Sequence, residues 1–151
     1  MDISASATPI VCDMTDASDT AEERMAEYGR LFDQALTGRE RTDESVRLRF
    51  RADDGIEGWV RDLAAREKAC CPFYDFAVRT AADEVWLEVS VLEAVGGDDV
   101  ARTLLDEYYN APDTVAAGVA GMEQRLTDRG WKLTTNPAGT VMQAHPATSD
   151  A

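Results

Sequence analysis

The sequence predicts an α+β fold: a two-layer sandwich in which a small, mostly antiparallel sheet carries helices on one face, ferredoxin-like or similar. Three observations predict it. "SVRLRFR", "YDFAVRT" and "EVWLEVSV" alternate apolar and polar residues with the period of half-buried strands. Apolar stripes at helical spacing flank them on both sides. The order helix, strand, helix, strand, strand, helix, helix gives a strand–helix–strand crossover followed by a hairpin, which favours helices packed against a sheet.

The elements follow in order. Residues 1–18 are Ser, Thr, Ala and Asp rich and form an N-terminal arm, except that "PIVCDM" is apolar enough to dock on the core and carry Cys12 with it. Thr20 with Glu23 has the spacing of a capping box. Met25, Tyr28, Phe32, Ala35 and Leu36 follow on one stripe, so a helix is expected from Ala21 to Thr37, ending at Gly38. In "SVRLRFR", Val46, Leu48 and Phe50 face inward. Arg47, Arg49 and Arg51 form an outer row, cheaply explained as an exposed strand face. Asp54 and Glu57 repeat the capping-box spacing ahead of a stripe through Trp59 or Val60, Leu63, Ala64 and Glu67. Pro72 pushes Cys71 out of helical geometry and ends that helix at the cysteine pair.

"YDFAVRT" and "EVWLEVSV", separated by "AAD", read as a hairpin, with Tyr74, Phe76 and Val78 on one face of the first strand and Val85, Leu87, Val89 and Val91 on one face of the second. Asp98 caps a helix that turns Val100, Leu104 and Tyr108 inward. A last helix runs from "PDTV" through Val115, Val119, Met122 and Leu126 to Gly130. Gly118 and Gly121 either weaken it or mark a close approach of another element. Residues 135–151 show no periodicity and read as a flexible tail, which leaves one α+β domain over residues 1–134.

The chain of 151 residues is 44% hydrophobic and 29% charged, a globular composition. No apolar run approaches membrane-spanning length, and the N-terminus lacks the basic start and apolar stretch of a secretory signal. With 29 acidic against 15 basic residues, the net charge of −14 argues against nucleic acid and against an anionic membrane as partners. Three cysteines give no disulfide framework, so reduced thiols in the cytoplasm are the simpler expectation.

The chemistry concentrates in "REKACCPFYDF", residues 66–76. On a helix Glu67 precedes Cys70 and Cys71 by three and four residues, so the three share a face with Leu63 and Val60. A carboxylate on an apolar face is costly unless it is paired or coordinated. An arginine partner or escape to solvent is the cheap explanation, and a site is the other. Cys70 and Cys71 point about 100° apart on a regular helix, so both can grip one ion only where Pro72 breaks it. Cys12 could supply a third thiolate. Cys12, Glu67, Cys70 and Cys71 are a donor set for Zn²⁺, or for softer ions such as Cu⁺ and Hg²⁺. The spacing is not a CxxC pair. The single histidine, His145, falls in the expected tail.

"VRLRF", "VRDLAAREKACCPFYDFAV" and "EVWLEVSV", after an early Cys and "AEER", resemble a family of small, largely uncharacterised actinobacterial proteins. Their shared pattern is an early Cys, then E-x-x-C-C-x-F-[FY]-x-F, then a valine/leucine strand. The likeness runs from Cys12 to Leu105, and residues beyond Pro112 lie outside it. It implies that Cys12, Glu67, Cys70 and Cys71 act as a unit, without implying a reaction.

Four readings stay open. Free cysteines often simply pack. A cysteine/glutamate site could bind a metal ion, with protonolysis of a metal–carbon bond as one catalytic version: thiolates grip the metal and Glu67 donates the proton. A metal-free enzyme would use Cys70 or Cys71 as nucleophile and Glu67 as acid/base. The negative end of the helix dipole opposes thiol activation there, with Lys68 and Arg66 as the offsetting charges. A partner-binding module would expose Phe73, Tyr74, Phe76 and Trp86. The expected partners are accordingly a small molecule or a metal ion, with a homodimer left open.

Overall fold

The computed structural model describes residues 11–93 and 98–146. It is an α+β sandwich. Strand β1 (Val11–Asp13) leads to helix α1 (Ala21–Ala35), strands β2 (Leu36–Arg41) and β3 (Ser45–Arg51), helix α2 (Ile56–Cys70) and the hairpin β4 (Tyr74–Ala81) and β5 (Glu84–Val91). Helix α3 (Asp99–Thr114), a 3₁₀ turn (Val115–Ala117), helix α4 (Gly118–Asp128) and strands β6 (Trp131–Thr135) and β7 (Val141–Pro146) follow.

The main sheet has the order β2-β3-β5-β4 and is antiparallel throughout. Register pairs Val46 with Val89, Leu48 with Leu87 and Phe50 with Val85, which puts one apolar row beside the next. All six side chains are fully buried, and α1, α2 and α3 pack over this sheet. The expected crossover is present as β3–α2–β4. The hairpin–helix–hairpin order differs from the βαββαβ order of a ferredoxin-like sheet. The outer arginine row is neutralised within the sheet: Arg47 and Arg79 pair with Glu88 at 2.7 and 3.2 Å, Arg49 lies 3.4 Å from Glu40, and the Arg47 guanidinium also lies over Trp86.

Of the three predicted caps, two are present. Thr20 and Glu23 form the reciprocal capping box, and Asp98 accepts from Val100 and Ala101 N–H. Helix α2 starts instead at Gly55, in left-handed conformation (φ 84°), with no side-chain cap, so the Asp54–Glu57 spacing has no capping role.

Several boundaries are corrected. Helix α1 stops at Ala35, because Leu36 turns extended and opens β2, which pairs with β3 from Leu36↔Phe50 to Arg41↔Val46. Gly38 therefore sits in a strand, at a bulge, where the Arg49 side chain crosses it. Helix α3 continues through Pro112 to Thr114. Gly118 then takes φ 70°, and a Cβ there would lie 2.6 Å from a Glu22 carboxylate oxygen, so the chain breaks before α4 and another element does approach closely. The stretch expected as a flexible tail holds β7 over 141–146. This strand joins β1 and β6 in a second antiparallel sheet, β1-β7-β6. No described helix is long and apolar enough to cross a membrane.

Candidate functional site

Three elements bring the sulfurs together. Helix α2 ends at Cys70. Cys71, with φ −127° and ψ 69°, has left helical geometry, as the following proline requires, while its N–H still reaches the Glu67 carbonyl at 2.7 Å. That departure swings Cys71 toward Cys70, and their sulfurs lie 3.7 Å apart. Strand β1 pairs Cys12 with Met142 of β7, and its sulfur is 2.9 Å from that of Cys71. The expectation that "VCDM" carries Cys12 to the core holds over the described residues. Residues 1–10, the rest of the arm, lie outside them. Cys70 and Cys71 are buried, Cys12 is half-buried, and all three are free thiols.

Glu67 is buried, and the arginine partner expected as its cheap explanation is Arg24 of α1. Arg24 Nη1 donates to Glu67 Oε2 at 2.7 Å, while its Nε and Nη2 donate to Asp19 at 2.7 and 2.8 Å. Tyr108 Oη donates to the other oxygen, Oε1. Both Glu67 oxygens thus accept hydrogen bonds.

Arg24 also sets the thiols. Its Nη1 lies 3.7 Å from Cys70 Sγ. A hydrogen bond from Cys71 holds the Cys70 thiol below its ordinary range, with Arg24 adding to the effect against burial and the Glu67 charge. Cys71 moves the other way, pushed well up by its hydrogen bonds with Cys12 and Cys70 and by burial. Cys71 donating to Cys70 is consistent with both shifts and leaves Cys70 as the thiolate end beside Arg24, while either sulfur of the Cys12–Cys71 pair can donate. When Cys70 keeps its proton it faces the Glu67 carbonyl oxygen at 3.5 Å instead. The offset to the helix dipole therefore comes from α1, not from Lys68 or Arg66. Lys68 donates to the Tyr74 carbonyl of β4 at 2.7 Å, and Arg66 pairs with Glu27 at 2.7 Å.

The sulfurs open on a cavity of about 160 Å³. Its walls are Tyr28, Phe32, Tyr74, Leu104 and Tyr108 with Met14, Met25, Met122 and Met142. Tyr28, Tyr74 and Tyr108 all have phenols raised above the usual value, by burial first.

The four expected residues converge, but not as a preformed zinc tetrahedron. Among the described residues no group of three or more His, Cys, Asp and Glu is arranged to hold a metal ion. Two thiolates on tetrahedral Zn²⁺ stand about 3.8 Å apart, from Zn–S bonds of about 2.3 Å. Cys70 and Cys71 match that spacing, and Cys12 and Cys71 do not. Glu67 already accepts from Arg24 and Tyr108. Phe73 and Tyr74 are core residues, closed to any partner. His145 pairs in register with Lys132 on the second sheet and takes no part.

Arg24 is a site residue that the sequence did not single out, and Tyr28 and Tyr108 were read only as inward-facing core residues. Arg24 and Tyr28 are one turn apart on α1, and an arginine in step with an inward tyrosine was the available signal. No family model, curated protein or solved structure matches this chain.

Proposed function

We propose that this is a cysteine-based binding protein for a soft, thiophilic guest: an ion of the Cu⁺, Cd²⁺ or Hg²⁺ kind or a small organic derivative of one, taken up in the reducing cytoplasm. One observation carries the reading. Every cysteine and every methionine among the described residues lines the same cavity. Polarizable sulfur ligands select soft ions, whereas Zn²⁺ is equally served by nitrogen and carboxylate donors that this cavity does not offer free. Methionine is also an ordinary gap filler in cores. It is the coincidence with all three thiols that points to a guest.

Cys71 is the central sulfur, in contact with both others, and Cys70 supplies the thiolate. Arg24 and Glu67 are positioning residues: Arg24 favours the charged sulfur, and Glu67 fixes Arg24. The proton-donor role expected of Glu67 passes to Tyr108 or to a thiol if a metal–carbon bond is cleaved here.

Titration with Cd²⁺, followed by the thiolate charge-transfer band in the ultraviolet, tests the reading. One equivalent should saturate the band, Zn²⁺ should compete poorly, and Cys71→Ser should weaken binding more than Cys12→Ser or Cys70→Ser. Absence of a saturable band, or Zn²⁺ binding as tightly as Cd²⁺, sinks it. Metal-free thiol chemistry is the second reading. It is favoured by the lowered Cys70 thiol and would show as selective alkylation of Cys70.

A further inference from the structure

Among the described residues, the closest pair of sulfurs is one that zinc-like coordination does not explain. Cys12 Sγ and Cys71 Sγ lie 2.9 Å apart, well inside the roughly 3.8 Å of two thiolates on tetrahedral Zn²⁺. A disulfide bond is about 2.05 Å long, so these sulfurs need to close by less than about 1 Å to bond. The backbone leaves room for that movement. Strand β1 is three residues long and lies at the edge of its sheet, held on one side by β7. Cys71 stands just past the end of α2.

Cys70 is kept out of such a bond. Consecutive Cα atoms stand about 3.8 Å apart, short of the roughly 4.4–6.8 Å that a disulfide spans. Its sulfur is 3.7 Å from that of Cys71 and is engaged by Arg24 Nη1 at 3.7 Å and by the Glu67 carbonyl at 3.5 Å. An oxidant has a way in. Cys12 is the half-buried thiol of the three, and Cys12 and Cys71 both line the cavity of about 160 Å³. Hydrogen peroxide is little larger than water, whose share of liquid volume is about 30 Å³.

We infer that Cys12 and Cys71 are a redox pair, which a hydroperoxide closes into a disulfide while Cys70 stays a thiol, and that closure empties the sulfur site of its guest. The Cys12 thiolate attacks one peroxide oxygen. The O–O bond breaks, the leaving oxygen takes up a proton and departs as water, and Cys12 becomes a sulfenic acid. Cys71 Sγ then attacks Cys12 Sγ, the S–O bond breaks, and the hydroxyl leaves with the Cys71 proton as a second water. Two thiols lose two electrons and one peroxide gains them. With the two sulfurs exchanged in these steps the product is the same. Two of the three thiols are then spent, which couples oxidation to release of a soft guest. Disulfides of reducing compartments are of this transient, redox-sensing kind. The pair stands on geometry alone, and the release rests on the proposed function.

Treatment of the full chain with one equivalent of hydrogen peroxide, then blocking with N-ethylmaleimide and peptide mass mapping, tests the inference. Wild type should fall from three free thiols to one, with Cys12 joined to Cys71 and the maleimide on Cys70. Dithiothreitol should restore all three. Cys70→Ser should still form the bridge, and Cys12→Ser and Cys71→Ser should not. The bridge ties residues 59 apart in sequence, so the melting temperature of the oxidised chain should rise by several degrees. The oxidised chain should also lose the Cd²⁺ charge-transfer band, and reduction followed by desalting should return it. A Cys70–Cys71 bridge, a disulfide between two chains, or Cys12 halted at a sulfenic or sulfinic acid beside a free Cys71 overturns the inference. A bridged chain that binds Cd²⁺ as well as the reduced one does so too. Absence of a Cd²⁺ band from the reduced chain, with the Cys12–Cys71 bridge still formed by peroxide, would sink the proposed function and the release with it, and leave the redox pair standing.

Discussion

Arg24 is buried together with Glu67 and also holds the half-buried Asp19. Its side chain is 4% exposed, that of Glu67 9%, and the pair is closed at 2.7 Å. Removing one member of such a pair strands the other charge away from water, at a cost of about 3–5 kcal/mol, whereas removing both charges together can be nearly neutral. Arg24→Met should therefore lower the urea midpoint sharply, and Arg24→Met with Glu67→Gln and Asp19→Asn should recover most of the loss. The acid limb of the stability profile carries the same signature. Hydrogen bonds from Arg24 hold the Asp19 carboxyl below its ordinary range. A carboxyl lowered in the folded state contributes stability that is present above its unfolded value of about 4 and is lost as the pH falls through the folded value. In Arg24→Met that loss below pH 4 should shrink. If the triple variant is no more stable than Arg24→Met alone, the charges are not what couples these residues. The sequence made half of this legible: Glu67 on an apolar stripe had to find a partner. That the partner stands 43 residues upstream is set by how α1 packs, and neither helix's spacing reveals it.

At the scale of elements, the strong periodic signals were reliable and the weak ones misled for physical reasons. β3, β4 and β5 alternate because one face meets helices and the other meets water. β2, "LTGRER", has no such alternation. Its inner positions are filled by Arg39 and Arg41, which reach across to Asp113 and Asp106 of α3 at 2.7 and 3.0 Å. An edge strand that buries arginine stems under a helix looks like a loop in sequence. β6 and β7 were hidden similarly, since a three-stranded sheet with exposed Thr, Lys and Gln writes little apolar pattern. The break between α3 and α4 carries its own prediction. Gly118 has φ 70°, and Glu22 Oε2 accepts from Val119 N–H at 3.0 Å, capping α4 from α1. Gly118→Ala adds the positive-φ strain of a side-chain residue, about 1–2 kcal/mol, and pushes Glu22 off the cap. Thermal unfolding should show a clear loss for Gly118→Ala, and Glu22→Ala should add little on top of it, because both remove the same cap. Fully additive losses would mean that the glycine and the cap are independent.

At the scale of the whole molecule, the second sheet decides whether the thiols form one site. Cys70 and Cys71 belong to the end of α2, but Cys12 reaches them only because β1 is held by β7, through the pairs Val11↔Gln143, Cys12↔Met142 and Asp13↔Val141 and a Met14 N–H bond of 2.7 Å to Thr140. Met142 also lines the cavity. A three-residue strand cannot stay ordered alone, since fixing each residue costs about 1–2 kcal/mol of backbone entropy against few bonds. Ending the chain after Thr134 should therefore release β1, withdraw Cys12 and uncover Cys71, which is 5% exposed when the sheet is whole. Read without a structure, the same truncation removes a featureless tail and costs nothing, so the two expectations are opposed. Timed alkylation with iodoacetamide, read by peptide mass, should show Cys71 modified at least about tenfold faster in the truncated chain, the response to some 1.4 kcal/mol of lost local protection. The melting temperature should fall with it, and the Cd²⁺ band should weaken more than in Cys12→Ser, because truncation removes Met142 together with the anchor of Cys12. Unchanged labelling of Cys71 and an unchanged melting temperature would show that β7 does not hold β1 in solution, and that Cys12 acts apart from the pair on α2.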